Sequence, residues 1–322
     1  MPERVLITGA TGFVGSHIAR AFAEAGYEVR IGARASSDQR WISDLYAERV
    51  LLDVSGDPED TSRAVRNVDT VVHAAGITRA KRARDYYAVN AGGARRLAVA
   101  AFRAGVRRFV LVSSLAARGP DGRGHPASDY GWSKLEAERH LRALDGGMET
   151  VVLRPAAVYG PRDTDLLPLF RLARAGWLPV PSGAAPLQPV YAEDAARAVV
   201  LAASCEPASF GPFPVAENSR YGWPDVVAGL WKVFSRPVRA VRLPAAAFVL
   251  AGRAVEWSAR PFSAVPLFDE RRARDLALNA WTCDVSETEK ALGWRARIPL
   301  VEGLERTATW YGQAGWLSMK SR

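Results

Sequence analysis

The segment Thr8-Gly9-Ala10-Thr11-Gly12-Phe13-Val14-Gly15 constrains this chain more than any other. It follows the apolar run Val5-Leu6-Ile7, within a strand expected over 4–8, and opens an amphipathic stretch from Gly12 to Ala25 that Gly26 closes. Glycine lets a backbone turn tightly and lets another group come close to it. A helix that begins inside such a turn presents free N–H groups and the positive end of its dipole, which suits a pyrophosphate. A glycine triplet alone says little, but a strand before it and a helix after it supply the required context. Gly9, Thr11, Gly12, Phe13, Val14 and Gly15 are therefore expected to line a dinucleotide site.

The rest of the first half keeps that rhythm. Short apolar runs at Val29–Ile31, Val50–Leu52, Thr70–Val72, Phe109–Val112 and Thr150–Leu153 read as strands. Between them lie helices, one beginning at Asp57-Pro58 with Asp as cap, one from about Asp85 to Ala104, and one from Tyr130 to Leu144. This alternation predicts an α/β protein with a doubly wound parallel sheet of the Rossmann kind. After Pro155 the alternation breaks up and Pro and Trp become frequent, with helices expected at 192–203, 223–234, 244–257 and 299–311. Residues 1–160, with 190–215 returning to them, are expected to form the nucleotide-binding domain. Residues 161–189 and 216–322 are expected to form a smaller substrate-binding cap.

Further residues fit the cofactor site. Asp53-Val54 follow strand three, where a carboxylate can accept from an adenine amino group. Ala74, Ala75 and Gly76 follow strand four and are small where a cofactor lies against the backbone. Asn90 stands at the start of the long helix, and His73 reads as a packed core histidine. The end of strand two reads Ile31-Gly32-Ala33-Arg34. The acid that bonds an NAD ribose is missing there, and a guanidinium that can pair with a 2′-phosphate follows. NADP(H) is therefore expected over NAD(H).

Tyr130-Gly-Trp-Ser-Lys134 carries the chemistry. Four residues apart on a helix place both side chains on one face. An ammonium beside a phenol favours the phenolate, so Tyr130 can exchange a proton with a substrate oxygen. Ser113-Ser114 end strand five, at the sheet edge where α/β ligands sit, and Ser114 can steady that oxygen.

Composition narrows the partners. The net charge of +9 would suit an anionic surface, yet the arginines are scattered and only Arg79-Ala-Lys-Arg-Ala-Arg84 is dense, so nucleic acid is not expected. Cys205 and Cys283 form neither a disulfide framework nor a zinc pattern, so no metal is expected and a reducing cytoplasm is the default. No apolar run is long enough to span a membrane, and the N-terminus enters a strand without a leader. A short apolar helix, Pro244–Trp257, beside arginines can still rest on a membrane surface.

These residues together make the chain resemble an extended short-chain dehydrogenase/reductase of the epimerase/dehydratase and 3β-hydroxysteroid dehydrogenase group. The resemblance runs from the glycine loop to Leu292-Gly-Trp294 and Trp310-Tyr311. It implies catalytic roles for Ser114, Tyr130 and Lys134, with Tyr130 and Lys134 also touching the cofactor. Arg154-Pro155-Ala-Ala-Val158-Tyr159-Gly160-Pro161 matches a family segment that passes the nicotinamide, which implies cofactor contacts from Pro155 and Val158. The family further implies a homodimer through the helices that begin near Asp85 and Tyr130.

Two substrate readings compete. One is alcohol–ketone interconversion on a hydrophobic small molecule, such as a sterol, a terpenoid or a lipid. The other is a nucleotide-sugar epimerase or dehydratase. Members of the second kind carry a diphosphate-gripping arginine before a Val-Asp-Asp-like motif. Leu187 stands at that place, although Arg271, Arg272 or Arg274 could supply charge from the cap. Phe248, Leu250, Trp257, Phe262 and Val265–Phe268 make the cap apolar. The loop Ile77–Tyr87 and the cap after Pro161 are expected to read substrate shape. A non-catalytic binding protein is a third reading, which the intact Tyr/Lys pair disfavours.

Overall fold

The computed structural model describes residues 2–120, 125–144, 146–183, 185–205, 210–259, 270–278 and 281–318. In chain order the elements are β1 (Arg4–Thr8), α1 (Phe13–Glu24), β2 (Glu28–Ala33), β3 (Glu48–Leu51), α2 (Pro58–Ala64), β4 (Thr70–His73), α3 (Ala83–Tyr86) and α4 (Gly93–Arg103). Next come β5 (Arg108–Val112), α5 (Asp129–Arg142), β6 (Glu149–Pro155), β7 (Val158–Tyr159), α6 (Leu167–Arg174), β8 (Trp177–Pro181) and β9 (Val190–Tyr191). The last are α7 (Ala192–Ser204), β10 (Phe213–Val215), α8 (Trp223–Phe234), β11 (Arg239–Leu243), α9 (Ala245–Ala259), α10 (Glu270–Leu278), α11 (Ser286–Leu292) and α12 (Leu300–Gln313).

The chain divides into two units. The first holds Met1–Val158, Ala192–Ala216 and Asp284–Arg295, and the second Tyr159–Tyr191, Glu217–Cys283 and Ala296–Arg322. Asp284–Arg295, expected with the cap, thus belongs to the first unit. The reason is local: Thr288 on α11 donates to the Pro214 carbonyl of β10, and the Trp294 indole donates to the Asp194 carbonyl of α7.

The first unit is built on a sheet in the order β10-β6-β5-β4-β1-β2-β3, with every neighbouring pair parallel. Parallel strands buried on both faces need continuous apolar runs, and Val5, Leu6 and Ile7 are fully buried. One face packs on α2, α4 and α5, where Leu6, Val71, Phe109 and Val152 meet Ala94, Leu97 and Leu141. On the other face α1 packs against α7. The sequence order reverses between β1 and β4, the switch point where such sheets bind ligands.

Two features went unread in the sequence. Arg108 is fully buried in β5. It donates to the Glu149 carboxylate at 2.8 Å and to the Ala203 carbonyl at 2.6 Å, an orphan acceptor at the end of α7. The single helix expected from Asp85 to Ala104 is in fact three pieces, with a π turn over Tyr87–Gly92 between α3 and α4. Asn90, within this turn, is buried, and turns of this kind are frequent at functional sites.

In the second unit Tyr159, Phe170, Tyr191, Leu230, Leu304 and Tyr311 form the main core with α6, α8 and α12. β8 and β11 pair in parallel, and α9 packs on α10 through Phe248, Ala273 and Ala277. No helix among the described residues is long and apolar enough to cross a membrane.

His73 closes β4 and is fully buried. Its Nδ1 and the Thr8 hydroxyl share a 2.8 Å hydrogen bond that ties the ends of β4 and β1 together. Burial first, and then the Lys134 charge, pushes its pKa from 6.5 down to about 3. The unfolded chain therefore takes up this proton near pH 6.5 while the fold refuses it until about pH 3. Above pH 6.5 the group has no effect on stability, and between the two values each unit of falling pH costs about 1.4 kcal/mol. Urea unfolding of the wild type and His73→Asn at stepped pH should show a shallower acid slope in the variant. Parallel slopes would mean that His73 is protonated in the fold.

Candidate active site

The β1–α1 turn is shaped by close backbone contact. Gly9 has φ +76°, and a Cβ there would lie 2.6 Å from the Ala75 nitrogen, so only glycine fits between the ends of β1 and β4. A Cβ on Gly15 would strike the Gly9 carbonyl. The Gly12 N–H donates to that carbonyl at 3.0 Å. Gly12 is the extended N-cap of α1, without a side-chain cap and without an acid in the first turn. The first N–H groups of α1, from Phe13 and Val14 onward, are thus left for an anion, with Thr11 half-buried beside them. These residues fit the pyrophosphate of a dinucleotide.

The neighbouring strand ends complete a rim. Arg34 is exposed just beyond β2. The Asp53 carboxylate accepts from the Ser55 N–H at 2.8 Å, which shapes its own turn, and the Val54 carbonyl accepts from Arg96 at 2.8 Å. The Ala75 N–H donates to the Thr8 hydroxyl, which keeps Ala74 and Ala75 against β1. A Cβ on Gly76 would sit 2.9 Å from Asn90 Oδ1 and 3.7 Å from Lys134 Nζ. Asn90 itself acts as a bracket: its Nδ2 donates to Ser133 Oγ at 2.9 Å and to the Ile77 carbonyl, and its Oδ1 accepts from the Ile77 N–H at 2.8 Å. Pro155 is buried at the carboxyl end of β6, and Val158 is half-buried three residues on.

Ser113 and Ser114, expected to end the fifth strand, follow β5 just past Val112 and take different partners. Ser113 bonds the buried Glu138 carboxylate. Ser114 accepts from the Ala116 N–H at 3.1 Å and starts a one-turn 3-10 helix over Leu115–Ala117. α5 is capped by Ser128 and carries Tyr130 and Lys134 one turn apart. Its first turn lies directly on that 3-10 helix, for a Cβ on Gly131 would fall 2.5 Å from the Ala116 carbonyl oxygen. The Tyr130 ring stands edge-on to Tyr86, centroids 6.2 Å apart, and the Tyr86 hydroxyl accepts from the Ala80 N–H of the Ile77–Tyr87 loop.

Lys134 is buried, and its Nζ donates to the Val112 carbonyl at 2.8 Å. Burial lowers its pKa to about 8, against the pull of the Glu138 carboxylate, so it is still an ammonium at neutral pH. Glu138 is held in turn by Arg154, at 2.9 and 2.6 Å. This Ser113–Glu138–Arg154 cluster was not read from the sequence. The readable signal was Glu138, four residues beyond Lys134 and so on the same helical face. Ser114 thus stands just past the end of β5, and Tyr130 and Lys134 one turn apart near the start of α5, with Lys134 bonded to the Val112 carbonyl that ends β5.

In the second unit Leu187 exchanges both backbone hydrogen bonds with Tyr221 at 2.7 Å, and its side chain packs against the main core. Arg272 pairs with Asp165 at 2.7 Å and Arg274 with Glu270 at 2.9 Å. The Arg271 side chain, Phe262 and Val265–Phe268 lie outside the described residues.

Gly131→Ala tests the seat of α5. Forcing a methyl against the Ala116 carbonyl should cost about 1–3 kcal/mol in denaturant unfolding. Turnover should fall more than dinucleotide affinity does. Unchanged stability would show that the helix start has room to move.

The model of the NAD dependent epimerase/dehydratase family matches residues 5–209. Ceramide reductase of Caulobacter vibrioides is 36% identical over 317 residues, 97% of this chain and 96% of that protein. UDP-glucose 4-epimerase of Vibrio cholerae is 28% identical over 340 residues, 98% of this chain and 97% of that protein. The solved structure of MoeE5 with UDP-glucuronic acid and NAD superposes with a TM-score of 0.73 at 23% identity, covering 97% of this chain and 99% of that one. With the glycine cradle, the doubly wound sheet and the matched model in agreement, the chain belongs to the NAD dependent epimerase/dehydratase family of extended short-chain dehydrogenase/reductase enzymes.

Proposed function

We propose that this enzyme interconverts a secondary alcohol and a ketone on a hydrophobic, lipid-like substrate, with NADP(H) preferred to NAD(H). Leu187 carries the substrate reading. At the place where a diphosphate-binding member needs a guanidinium, this chain has a half-buried apolar side chain that packs against the core of its unit. Arg272 and Arg274, the nearby cations that could have replaced it, are engaged in ion pairs. The likeness to a ceramide reductase over almost the full length supports the same class.

The cofactor, when bound, supplies or accepts the hydride. Gly9, Gly12 and Gly15 with the N-terminus of α1 hold its pyrophosphate, and Asp53 faces the adenine. Tyr130 gives a proton to the substrate oxygen in reduction and takes one in oxidation. The Lys134 ammonium, fixed by the Val112 carbonyl, favours the Tyr130 phenolate and holds the nicotinamide ribose. Ser114 accepts from Ala116, which leaves its own hydrogen to donate to the carbonyl oxygen as negative charge develops. Arg34 supports NADP(H), because it is the exposed cation just past β2 and no acid precedes it there.

Nicotinamide absorbance should follow net oxidation or reduction when purified protein meets ketones and alcohols of the ceramide and sterol type. Product formed from a UDP-sugar with no net cofactor change would instead place the enzyme among the epimerases. Tyr130→Phe should bind the cofactor as the wild type does and lose turnover by about 100- to 10,000-fold; retained turnover would remove Tyr130 from the chemistry.

Arg34→Ala should weaken NADPH binding by about 10- to 100-fold, the worth of a charge-assisted hydrogen bond, and leave NADH nearly unchanged. Equal weakening of both in a fluorescence titration would show that Arg34 does not read the 2′-phosphate.

A further inference from the structure

α9 is amphipathic in an unusual sense, because both of its faces are apolar. Its inner face seats the buried Phe248 against Ala273 and Ala277 of α10, flanked by Ala245. Its outer face presents Ala246, Ala247, Leu250, Ala251, Ala254 and Trp257, all exposed. The periodicity puts these six on one stripe of the helix. Leu250 is 65% and Trp257 71% exposed, values that few large apolar side chains reach in water without a partner. The helix has 15 residues, a length of about 22 Å, too short to cross an apolar layer of about 30 Å.

The chain entering this helix is cationic. Arg236, Arg239 and Arg242 are exposed on and before β11, and Val241 is exposed among them. Arg253 projects from the helix itself, 73% exposed. Residues 236–259 carry these four arginines and one acid, Glu256, and Arg253 also stands 3.8 Å from the Glu270 carboxylate of α10. An apolar stripe bearing an exposed tryptophan and edged by arginines has the chemistry of a helix that lies in the headgroup layer of an anionic bilayer.

We infer that the outer face of α9, with the arginines of β11, is a docking surface for anionic phospholipid membranes. Leu250, Trp257 and the alanine stripe enter the headgroup boundary, and Arg239, Arg242 and Arg253 meet the lipid phosphates. The inference gains its purpose from the lipid-substrate reading above, because such a substrate resides in a bilayer, but the surface can be tested without any substrate.

The full chain should be sedimented with phosphatidylcholine vesicles and with vesicles that also contain phosphatidylglycerol. Binding is expected only to the anionic vesicles and should weaken as salt rises. Leu250→Glu with Trp257→Glu should lower the bound fraction at least about tenfold, since two large apolar groups would no longer leave water. Trp257→Phe should retain binding. Unchanged dinucleotide titrations will show that each variant is folded. Absence of vesicle binding, equal binding to both vesicle types, or full binding by the double glutamate variant would overturn the inference. So would a wild-type dimer in light scattering that the double variant reduces to a monomer, because a second copy would then be the occupant. Vesicle binding without turnover of any alcohol or ketone would sink the substrate reading alone.

Discussion

The contact on which the candidate site depends is one hydrogen bond, from the buried Lys134 ammonium to the Val112 carbonyl at 2.8 Å. A cation in a dry interior is tolerated only where acceptors are already arranged around it. Here the arrangement comes from two sides. The end of β5 offers the carbonyl, and Glu138, gripped by Arg154 of β6, offers negative charge one helical turn away. The same bond fixes where α5 stands over the sheet, and with it the ring of Tyr130 and the seat of Gly131 on the turn that Ser114 begins. Asn90 clamps the other flank through Ser133 and Ile77. Chemistry and packing are therefore not separable here, since the groups that position Lys134 are also those that join β4, β5, β6 and α5.

Much of this was legible in the residues. The glycine loop, the apolar strands and the Tyr130–Lys134 spacing are short-range patterns, and short-range patterns survive in a sequence. What could not be read was set by distant partners. Arg108 looks like a strand-end cation until Ala203, far along the chain, meets it. Glu138 looks like a solvated helix acid until Ser113 and Arg154 close around it. The π turn at Tyr87–Gly92 gave no signal in the sequence, and it holds the Asn90 whose partners, Ile77 and Ser133, lie in other segments. Asp284–Arg295 was misplaced for the same reason: its allegiance to the first unit rests on Trp294 and Thr288 reaching partners in segments far earlier in the chain.

Leu187 bears on the proposed substrate class through its own contacts as well as through the missing guanidinium. A missing arginine in a loop would say little, because a nearby cation can compensate. Leu187, held by two backbone hydrogen bonds, is half-buried against the core of its unit and offers no charge to a diphosphate. The apolar character expected of the second unit lies in its core of aromatic and leucine side chains and, separately, on the outer stripe of α9.

The split of the first unit into three stretches of chain has a consequence for its birth on the ribosome. When residue 158 has emerged, β6 still lacks β10 beside it, and α1 lacks α7. The face of α1 that meets α7 stays uncovered until α7 is made, and α11 and Trp294 arrive only after most of the second unit has been translated. A nascent chain of this design holds a nearly complete but open sheet from about residue 158 until β10 is made at Val215. It closes late, when Arg108 catches the end of α7 and Trp294 fastens its beginning. Chaperone demand and sensitivity to premature truncation are thus properties of how the sheet is threaded, independent of how stable the finished enzyme is.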